Sequence, residues 1–412
     1  MTTTAAPLTV RPLSVDARRV LAAQGFRAFA YGLAAVLLGT TLDELHISPV
    51  RAGLVLAAVV AGAVTGSLVI ARRGDRWGRR RTYRGLYLLL AGTGAVFAFA
   101  QHWWILALVA LGGAMSTEVV ESGPFTSIEQ AMLATDLRGH ELARGFSRYN
   151  AVAAAAGSLG ALAAGLPALT RRLWDGAPSD QRWFLALVPV SLAGAAIASS
   201  LSPAMEPVPT EGTPTDRRAV LGPSRPIVMR LAGLFAVDSF AGGFTVSAFI
   251  AYWFAHRFDT SAATLGLVFA VVGVLQTLSF LAAGRLAERF GLLTTMVATH
   301  LPSNLLLASL AFAPNFGVAA ALLFARVALS QMDVPTRQAY VMALVAPGER
   351  TAAAATTNSA RYLTRPFGTA LGGLVASSAI GAPFLIAGSL KSAYDLVLWH
   401  WFRNVELPEE AP

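Results

Sequence analysis

The sequence predicts an all-α membrane protein with twelve transmembrane helices in two six-helix halves. Three observations carry this prediction. The composition is too apolar for a soluble chain, twelve apolar stretches are long enough to cross a bilayer, and residues of the first half recur in the second half at a constant spacing.

The composition excludes an ordinary soluble domain. Of the 412 residues, 55% are hydrophobic and 13% are charged, whereas soluble domains are about half apolar and about a quarter charged. The formal charge of +9 comes from arginines in short loops between apolar stretches. That placement indicates orientation in a lipid bilayer and excludes a nucleic-acid-binding protein. The chain contains no cysteine, which excludes disulfides and thiolate metal sites.

Twelve apolar stretches have the roughly 20 residues that a helix needs to cross about 30 Å of hydrocarbon. They lack the alternation of strands, so they are predicted to be helices. The first is too long for the apolar core of a signal peptide and is expected to remain uncleaved. Spans one to twelve are predicted at residues 18–42, 48–71, 82–101, 104–134, 141–169, 182–202, 227–256, 262–286, 292–313, 316–346, 350–377 and 380–403.

A polar segment divides the chain near its middle. Residues 202–226 are rich in proline, threonine and charge, a composition typical of a linker. The predicted domains are a first half at residues 1–201, this linker on the cytoplasmic side, and a second half at residues 227–412.

The placement of arginine predicts the orientation of the spans. The loops after spans two, four, six, eight and ten contain arginine, whereas opposite loops such as AQHWW and APNFG are nearly uncharged. Cytoplasmic loops carry such a basic excess. One opposite loop, TRRLWDGAPSDQR, contains arginines as well, but it also contains two acids. We therefore expect both termini in the cytoplasm.

The two halves are predicted to be a parallel duplication. A spacing of 213 residues relates the loop after span two to the loop after span eight, and span five to span eleven. It relates Asp75 to Glu288, Arg76 to Arg289, Gly78 to Gly291, Arg148 to Arg361 and Tyr149 to Tyr362. Agreement in two separate regions indicates repeated six-helix units.

The loop after span two, ARRGDRWGRRRTYRG, contains seven arginines and resembles a known transporter element. Its pattern is G-x-x-x-D-R-x-G-R-R, with Ala71 in place of the leading glycine and with matches at Asp75, Arg76, Gly78, Arg79 and Arg80. Together with the twelve spans, the parallel halves and the linker, it makes the whole chain similar to the major facilitator superfamily of secondary transporters. The resemblance implies that fold and the inner membrane of a bacterium, and we expect a monomer.

The resemblance also implies a cytoplasmic gate. In this family the acid of the loop faces the N-terminal end of helix eleven while the cytoplasmic side is closed. Asp75 is then expected to meet free backbone N–H groups there, with Arg361 strengthening the contact. The alternative is that Asp75 only offsets repulsion among the arginines around it. The predicted gate comprises Asp75, Arg76, Gly78, Arg79, Glu288, Arg289, Arg148 and Arg361, with Glu288 and Arg148 as the symmetric pair.

Carboxylates in span four are the first candidates for proton coupling, since ionisable groups at membrane depth are costly. Glu118 and Glu121 are three residues apart and are expected to share a helix face. Both cannot stay ionised cheaply, so one of them is expected to carry a proton. The alternative is that they pair with a buried arginine. The Gly-Pro step at residues 123 and 124 predicts a bend, and Glu129 is expected to reach the membrane surface.

Spans one and seven carry opposite charges. The repeat spacing brings Arg27 and Asp238 to nearly equivalent positions. We expect them to meet across the interface between the halves, either as a static pair or as a pair that faces substrate. Asp238 is the third candidate for proton coupling.

Span ten and two asparagines complete the predicted substrate cavity. Asp333 and Arg337 are four residues apart and are expected to pair with each other. Arg326 has no acid within four residues and is expected to face substrate or the acids of span four. Asn150 and Asn358 are further cavity candidates, whereas the isolated His300 is expected to be structural.

These features predict proton-coupled efflux of a small organic solute by antiport, with the halves rocking around a central site. The alternative is proton- or ion-coupled uptake of an anionic metabolite, because several arginines are buried. An intramembrane enzyme or a receptor is a remote alternative, since the sequence lacks H-E-x-x-H and G-x-S-x-G motifs. The expected partners are the solute, protons and the bilayer, with no nucleic acid, cofactor or metal.

Overall fold

The computed structural model describes residues 13–119, 123–136, 140–174, 176–206, 221–345 and 349–405. Throughout these ranges the regular structure is helical, without a β-strand, which confirms the predicted all-α class. Residues 207–220, most of the predicted linker, lie outside the described part of the chain, so the domain boundaries stay a prediction.

In the described part of the first half, eight helices form spans one to six. Helices α1 to α8 lie at Val15–Glu44, Pro49–Trp77, Arg79–Phe97, Trp103–Ala110, Pro124–Asp136, His140–Ala163, Leu166–Leu173 and Leu187–Ser200. Span four consists of α4 and α5, span five of α6 and α7, and a 3-10 turn at Asp180–Ala186 leads into α8.

The second half repeats this arrangement in spans seven to twelve. Helices α9 to α16 lie at Arg225–Gly243, Ser247–Phe258, Ala262–Phe290, Leu292–Ser309, Phe316–Ser330, Asp333–Leu344, Arg350–Ala376 and Ala382–Phe402. Spans seven and ten are each broken into two helices. Among the described residues, eight helical segments are by themselves long and apolar enough to cross a membrane, and packing against them completes the twelve-span bundle.

Span four is interrupted rather than bent. The backbone between α4 and α5 takes left-handed angles at Gly113 (φ 80°) and Gly123 (φ 98°), which only glycine adopts without strain. Glu118 therefore lies on non-helical backbone. The expectation that Glu118 lies on a helix face is therefore wrong, while Glu121 lies outside the described residues.

The halves are held together by close approaches of small residues. A methyl group added at Gly53 on α2 would lie 2.4 Å from the Cα of Gly373 on α15. One added at Gly39 on α1 would lie 2.5 Å from the Cβ of Ala251 on α10. Small residues let helices pack at this distance in a membrane, where lipid supplies no hydrophobic drive for their association.

These approaches lie at one face of the bundle. Since the number of spans is even, residues 13 and 405 lie on the same face, which we call the terminal face. Gly39 is near the end of α1 and Gly53 near the start of α2, so both lie toward the opposite face. At the terminal face, Arg148 and Glu288 are exposed. The bundle is therefore closed at the opposite face.

Candidate functional site

A cavity of about 220 Å³ lies between the two halves. Spans of both halves contribute to its wall, which is mainly small and apolar in the first half and strongly charged in the second. The charged and titratable residues that line it are Glu118, Asp238, Asp333, His300, Arg326, Arg337, Arg361, Arg365 and Lys391. Such a concentration of charge at membrane depth marks a functional site.

Glu118 links the two halves at this cavity. One of its carboxylate oxygens accepts hydrogen bonds from the backbone N–H (3.2 Å) and the hydroxyl (3.3 Å) of Ser247. The same oxygen forms an ion pair with Arg365 at 3.3 Å. Ser247 begins α10, so Glu118 faces the positive end of that helix. The predicted alternative was pairing with a buried arginine. Glu118 does pair with an arginine, Arg365, whose side chain is 22% exposed, while Glu121 lies outside the described residues.

Asp238 lies in a charged group within the second half. Its carboxylate oxygens are 2.5 Å from the Nζ of Lys391 and 3.8 Å from a guanidinium nitrogen of Arg337. Arg337 also pairs with Asp333 at 2.6 Å, which confirms the predicted pair within span ten. All four side chains are buried, and the cations compensate the carboxylates where water is scarce.

His300, which also lines the cavity, extends this group to Asp395. Its Nδ1 lies 2.9 Å from a carboxylate oxygen of Asp395, and its Nε2 lies 4.0 Å from Asp238. Asn304 donates to the other oxygen of Asp395 at 2.8 Å. The sequence reasoning overlooked Lys391 and Asp395, although an ionisable pair four residues apart inside an apolar span was a usable signal.

Arg27 pairs within its own half. Its guanidinium donates to both carboxylate oxygens of Glu129, at 3.1 and 3.0 Å. The hydroxyls of Tyr149 and Tyr83 donate to the same carboxylate at 2.6 and 2.9 Å. The expected contact of Arg27 with Asp238 is therefore wrong, because α1 turns this side chain toward the interior of the first half. The expectation that Glu129 reaches the membrane surface is wrong too, because four donors hold it at 0% exposure.

The remaining cavity candidates are distributed over three places. Arg326 lines the central cavity, and its Nε has no hydrogen-bond partner among the described residues. Asn358 lines a second cavity of about 250 Å³ together with Arg337 and Arg361. Asn150 is exposed on α6 and is not among the described residues of the central cavity wall.

The gate residues lie at the terminal face. Arg76 and Arg289 are exposed there, as are Arg148 and Glu288. The side chain of Asp75 lies outside the described part of the structure, so its contact with helix eleven stays a prediction. Arg361, its expected helper, lines the central cavity.

The loop itself shows the duplication in its backbone. Gly78 and Gly291 both take left-handed angles, with φ of 84° and 82°. After Gly78, the backbone N–H groups of Arg79 and Arg80 donate to the carboxylate of Glu206 at 2.7 and 3.1 Å. A carboxylate from the start of the predicted linker thus caps the N-terminus of α3, a contact the sequence reasoning overlooked.

Comparisons with known proteins agree with this architecture. A sequence model of the Major Facilitator Superfamily matches residues 20–237 and 231–412. The uncharacterized membrane protein YJR124C of Saccharomyces cerevisiae is 26% identical over 430 residues, covering 95% of each chain. The nucleoside transporter NupG superposes with a TM-score of 0.70 at 14% identity over 95% of this chain and 98% of its own.

A second solved structure shows the same fold. The inward open xylose transporter XylE from Escherichia coli superposes with a TM-score of 0.71 at 14% identity, over 96% of this chain and 98% of its own. At such low identity these structures establish the shared fold alone.

Proposed function

Because the chain belongs to the Major Facilitator Superfamily, we propose that its central cavity binds a small organic solute with an acidic group in a proton-coupled cycle. Family membership makes the chain a multi-pass membrane protein and a secondary transporter rather than an enzyme. The solute, the coupling and the direction are the subject of the proposal.

The charge of the cavity wall carries the choice of solute. Five permanently cationic side chains and three carboxylates line the cavity among the described residues. Each carboxylate has a cationic partner, so the wall keeps an excess of two positive charges. Arginine binds carboxylates through paired, charge-assisted hydrogen bonds. Arg326, whose Nε has no hydrogen-bond partner in the described structure, is the residue we assign to the acidic group of the solute.

Glu118 is a proton carrier in this proposal. While ionised, it holds Ser247 and Arg365 of the second half. A proton on this carboxyl removes the charge that both contacts depend on and weakens the link between the halves. Its side chain is 27% exposed, so the proton can reach it from the cavity. Glu121 and Asp238 remain candidates for the same role.

Two coupling modes follow from the sequence and the cavity. The arginine loop matches that of efflux antiporters, in which solute leaves as protons enter, and uptake members of the family carry the same element. The positive excess of the cavity wall supports the second mode, uptake of an anionic metabolite together with protons. We further propose that the terminal face is cytoplasmic, because the arginine-rich loop lies on it, and that the transporter is a monomer in the cell membrane of a bacterium.

The test uses purified protein in liposomes with a pH-sensitive dye in the lumen. The solutes are a panel of monocarboxylates and dicarboxylates, with uridine and xylose as uncharged comparisons. Antiport predicts that a carboxylate accumulates when the lumen is more acidic than the medium. Cotransport predicts accumulation when the lumen is more alkaline. In either mode Arg326→Gln is expected to lower uptake at least about tenfold, as expected for loss of a charged contact.

Two results contradict the proposal, one for the solute and one for the coupling. Movement of uridine or xylose with no carboxylate transported, and with Arg326→Gln as active as the wild type, refutes an acidic solute. Solute movement that is independent of the pH gradient refutes proton coupling.

A further inference from the structure

Among its described residues, the second half buries three carboxylates beside two permanent cations. Asp238, Asp333 and Asp395 contact one another through Lys391, Arg337 and the ring of His300. All six residues are less than 9% exposed. If His300 were neutral, the group would carry one uncompensated negative charge in a place where an unpaired charge costs several kcal/mol. One additional proton makes the group neutral.

The buried charges of the first half differ in this respect. Arg27 and Glu129 are one cation and one carboxylate, both at 0% exposure, and the tyrosines around them are neutral donors. This pair is balanced without a further proton. The first half thus has no reason to take up or release one at this position, whereas the second half has.

The geometry gives the additional proton a place. The Nδ1 of His300 is within hydrogen-bond distance of Asp395, and its Nε2 is directed toward Asp238, which lines the cavity. Asn304 donates to the second oxygen of Asp395 and fixes that carboxylate behind the ring. A histidine held between two carboxylates, one buried and one at the cavity wall, connects the interior to the cavity.

We propose that His300, held by Asp395, is a second proton-binding site of the transporter beside Glu118, and that it exchanges its proton with Asp238 at the cavity wall. The role in coupling rests on the proposed function. In the transfer, the N–H bond at Nε2 of His300 breaks and an O–H bond forms on the carboxylate of Asp238. His300 becomes neutral and Asp238 becomes a neutral acid. The 4.0 Å between the two atoms closes by a rotation of the side chains or through one water molecule.

The groups around His300 determine its charge. On the packed helices these are Asp395, Lys391 and Tyr394 of α16, Asp238 of α9, and Asp333 with Arg337 of α14. Arg326 on α13 and Arg361 on α15 face Asp238 across the cavity. The groups in contact, at 2.5 to 4.0 Å from one another, interact more strongly than these two, because Coulomb energy falls with distance.

The transfer also links the proton to the solute. When Asp238 is neutralised, the ammonium of Lys391 loses the charge of its partner at 2.5 Å. Lys391 lines the cavity, so its charge becomes available to the acidic group of a solute. The proton and the acidic group of the solute are then bound at the same time, as cotransport in the uptake mode requires.

The test reads the proton on His300 directly and needs no solute. Protein labelled with ¹⁵N-histidine is placed in lipid nanodiscs, and His300→Gln identifies the ring signals of this residue. At pH 7 we expect both ring nitrogens of His300 to be protonated. Asp395→Asn and, separately, Asp333→Asn remove the excess carboxylate, so in both variants His300 is expected to be a neutral imidazole. Asp333→Asn leaves the contact between His300 and Asp395 intact and isolates the effect of charge balance.

The matched control is Glu129→Gln, which removes a buried carboxylate from the first half and is expected to leave the His300 signals unchanged. A neutral His300 in the wild type, or one that stays doubly protonated in both aspartate variants, overturns the proposal. Far-ultraviolet circular dichroism establishes that each variant is folded.

Transport separates this proposal from the proposed function. With a carboxylate that the wild type transports, His300→Gln is expected to lose proton-driven accumulation at least about tenfold, while exchange of solute for solute, which moves no net proton, continues. If the wild type moves no solute with protons, the proposed function fails, and the nitrogen spectra still decide where the proton lies. If the wild type couples and His300→Gln couples equally well, only the assignment to His300 fails.

Discussion

Glu129→Gln tests the interpretation that the buried pair of Arg27 and Glu129 is a structural contact. The carboxylate of Glu129 accepts four hydrogen bonds, two from Arg27 and one each from Tyr149 and Tyr83. The substitution leaves the guanidinium of Arg27 at 0% exposure without a counter-charge. Breaking a buried ion pair by removing one partner costs about 3–5 kcal/mol. We expect a loss of that size in the free energy of unfolding.

The matched double variant separates the charge from the packing. The double variant of Arg27→Met and Glu129→Gln buries no charge at this position. The side-chain amide oxygen introduced at position 129 can still accept a hydrogen bond from a tyrosine hydroxyl. Replacing a buried pair by neutral groups of similar volume is often nearly neutral in energy, so the double variant is expected to recover most of the loss. Neither residue lines the cavity, so transport by the double variant should remain close to that of the wild type.

Equilibrium unfolding in mixed micelles, driven by sodium dodecyl sulfate and followed by circular dichroism, measures these differences. Glu288→Gln, an exposed site on the terminal face, is the control and should change stability by less than about 0.5 kcal/mol. A cost of Glu129→Gln below about 1 kcal/mol, or a double variant as unstable as the single one, refutes the reasoning. If the double variant is stable but does not transport, Arg27 takes part in the substrate site.

Three further predictions concern the halves and their contacts. Glu118→Gln is expected to lower proton-driven accumulation in liposomes at least about tenfold while solute exchange continues; equal coupling in both proteins excludes Glu118 as a carrier. At Gly373, an added methyl group alone would lie 2.5 Å from the Cα of Gly53, and Gly373→Val introduces a larger side chain there. It should therefore prevent closure of the opposite face and abolish transport in a protein that circular dichroism shows to be folded, and retained transport contradicts this packing. Glu206→Ala removes the cap of α3 and should lower the free energy of unfolding by about 1 kcal/mol, measured in the same mixed micelles; no change contradicts the cap.

Local patterns in the sequence were sufficient for the spans and for one ion pair. The twelve spans were predictable because each must be apolar over a fixed length. The pair of Asp333 and Arg337 was predictable because residues four apart on a helix are neighbours. Both inferences use only the geometry of one helix.

The predictions that were wrong concern contacts that depend on how several helices pack together. Arg27 and Glu129 are 102 residues apart, and no periodicity within a span shows which neighbour a side chain faces. Glu118 was placed on a helix face because the interruption between Gly113 and Gly123 leaves the apolar composition unchanged. Glu118 contacts Ser247 and Arg365 from a position that is not helical.

The duplication allows the proposed proton site at His300 to be compared with the equivalent position in the first half, where a different residue lies. The repeat spacing relates Tyr87 on α3 to His300 on α12, and both helices begin at equivalent residues, Arg79 and Leu292. Tyr87 donates its hydroxyl to the backbone carbonyl of Ala23 at 2.6 Å, so a neutral donor fills the position in the first half. In the second half an imidazole lies there with a carboxylate on either side. A common framework thus holds the balanced pair of Arg27 and Glu129 in the first half and, in our proposal, a group whose charge changes with one proton in the second.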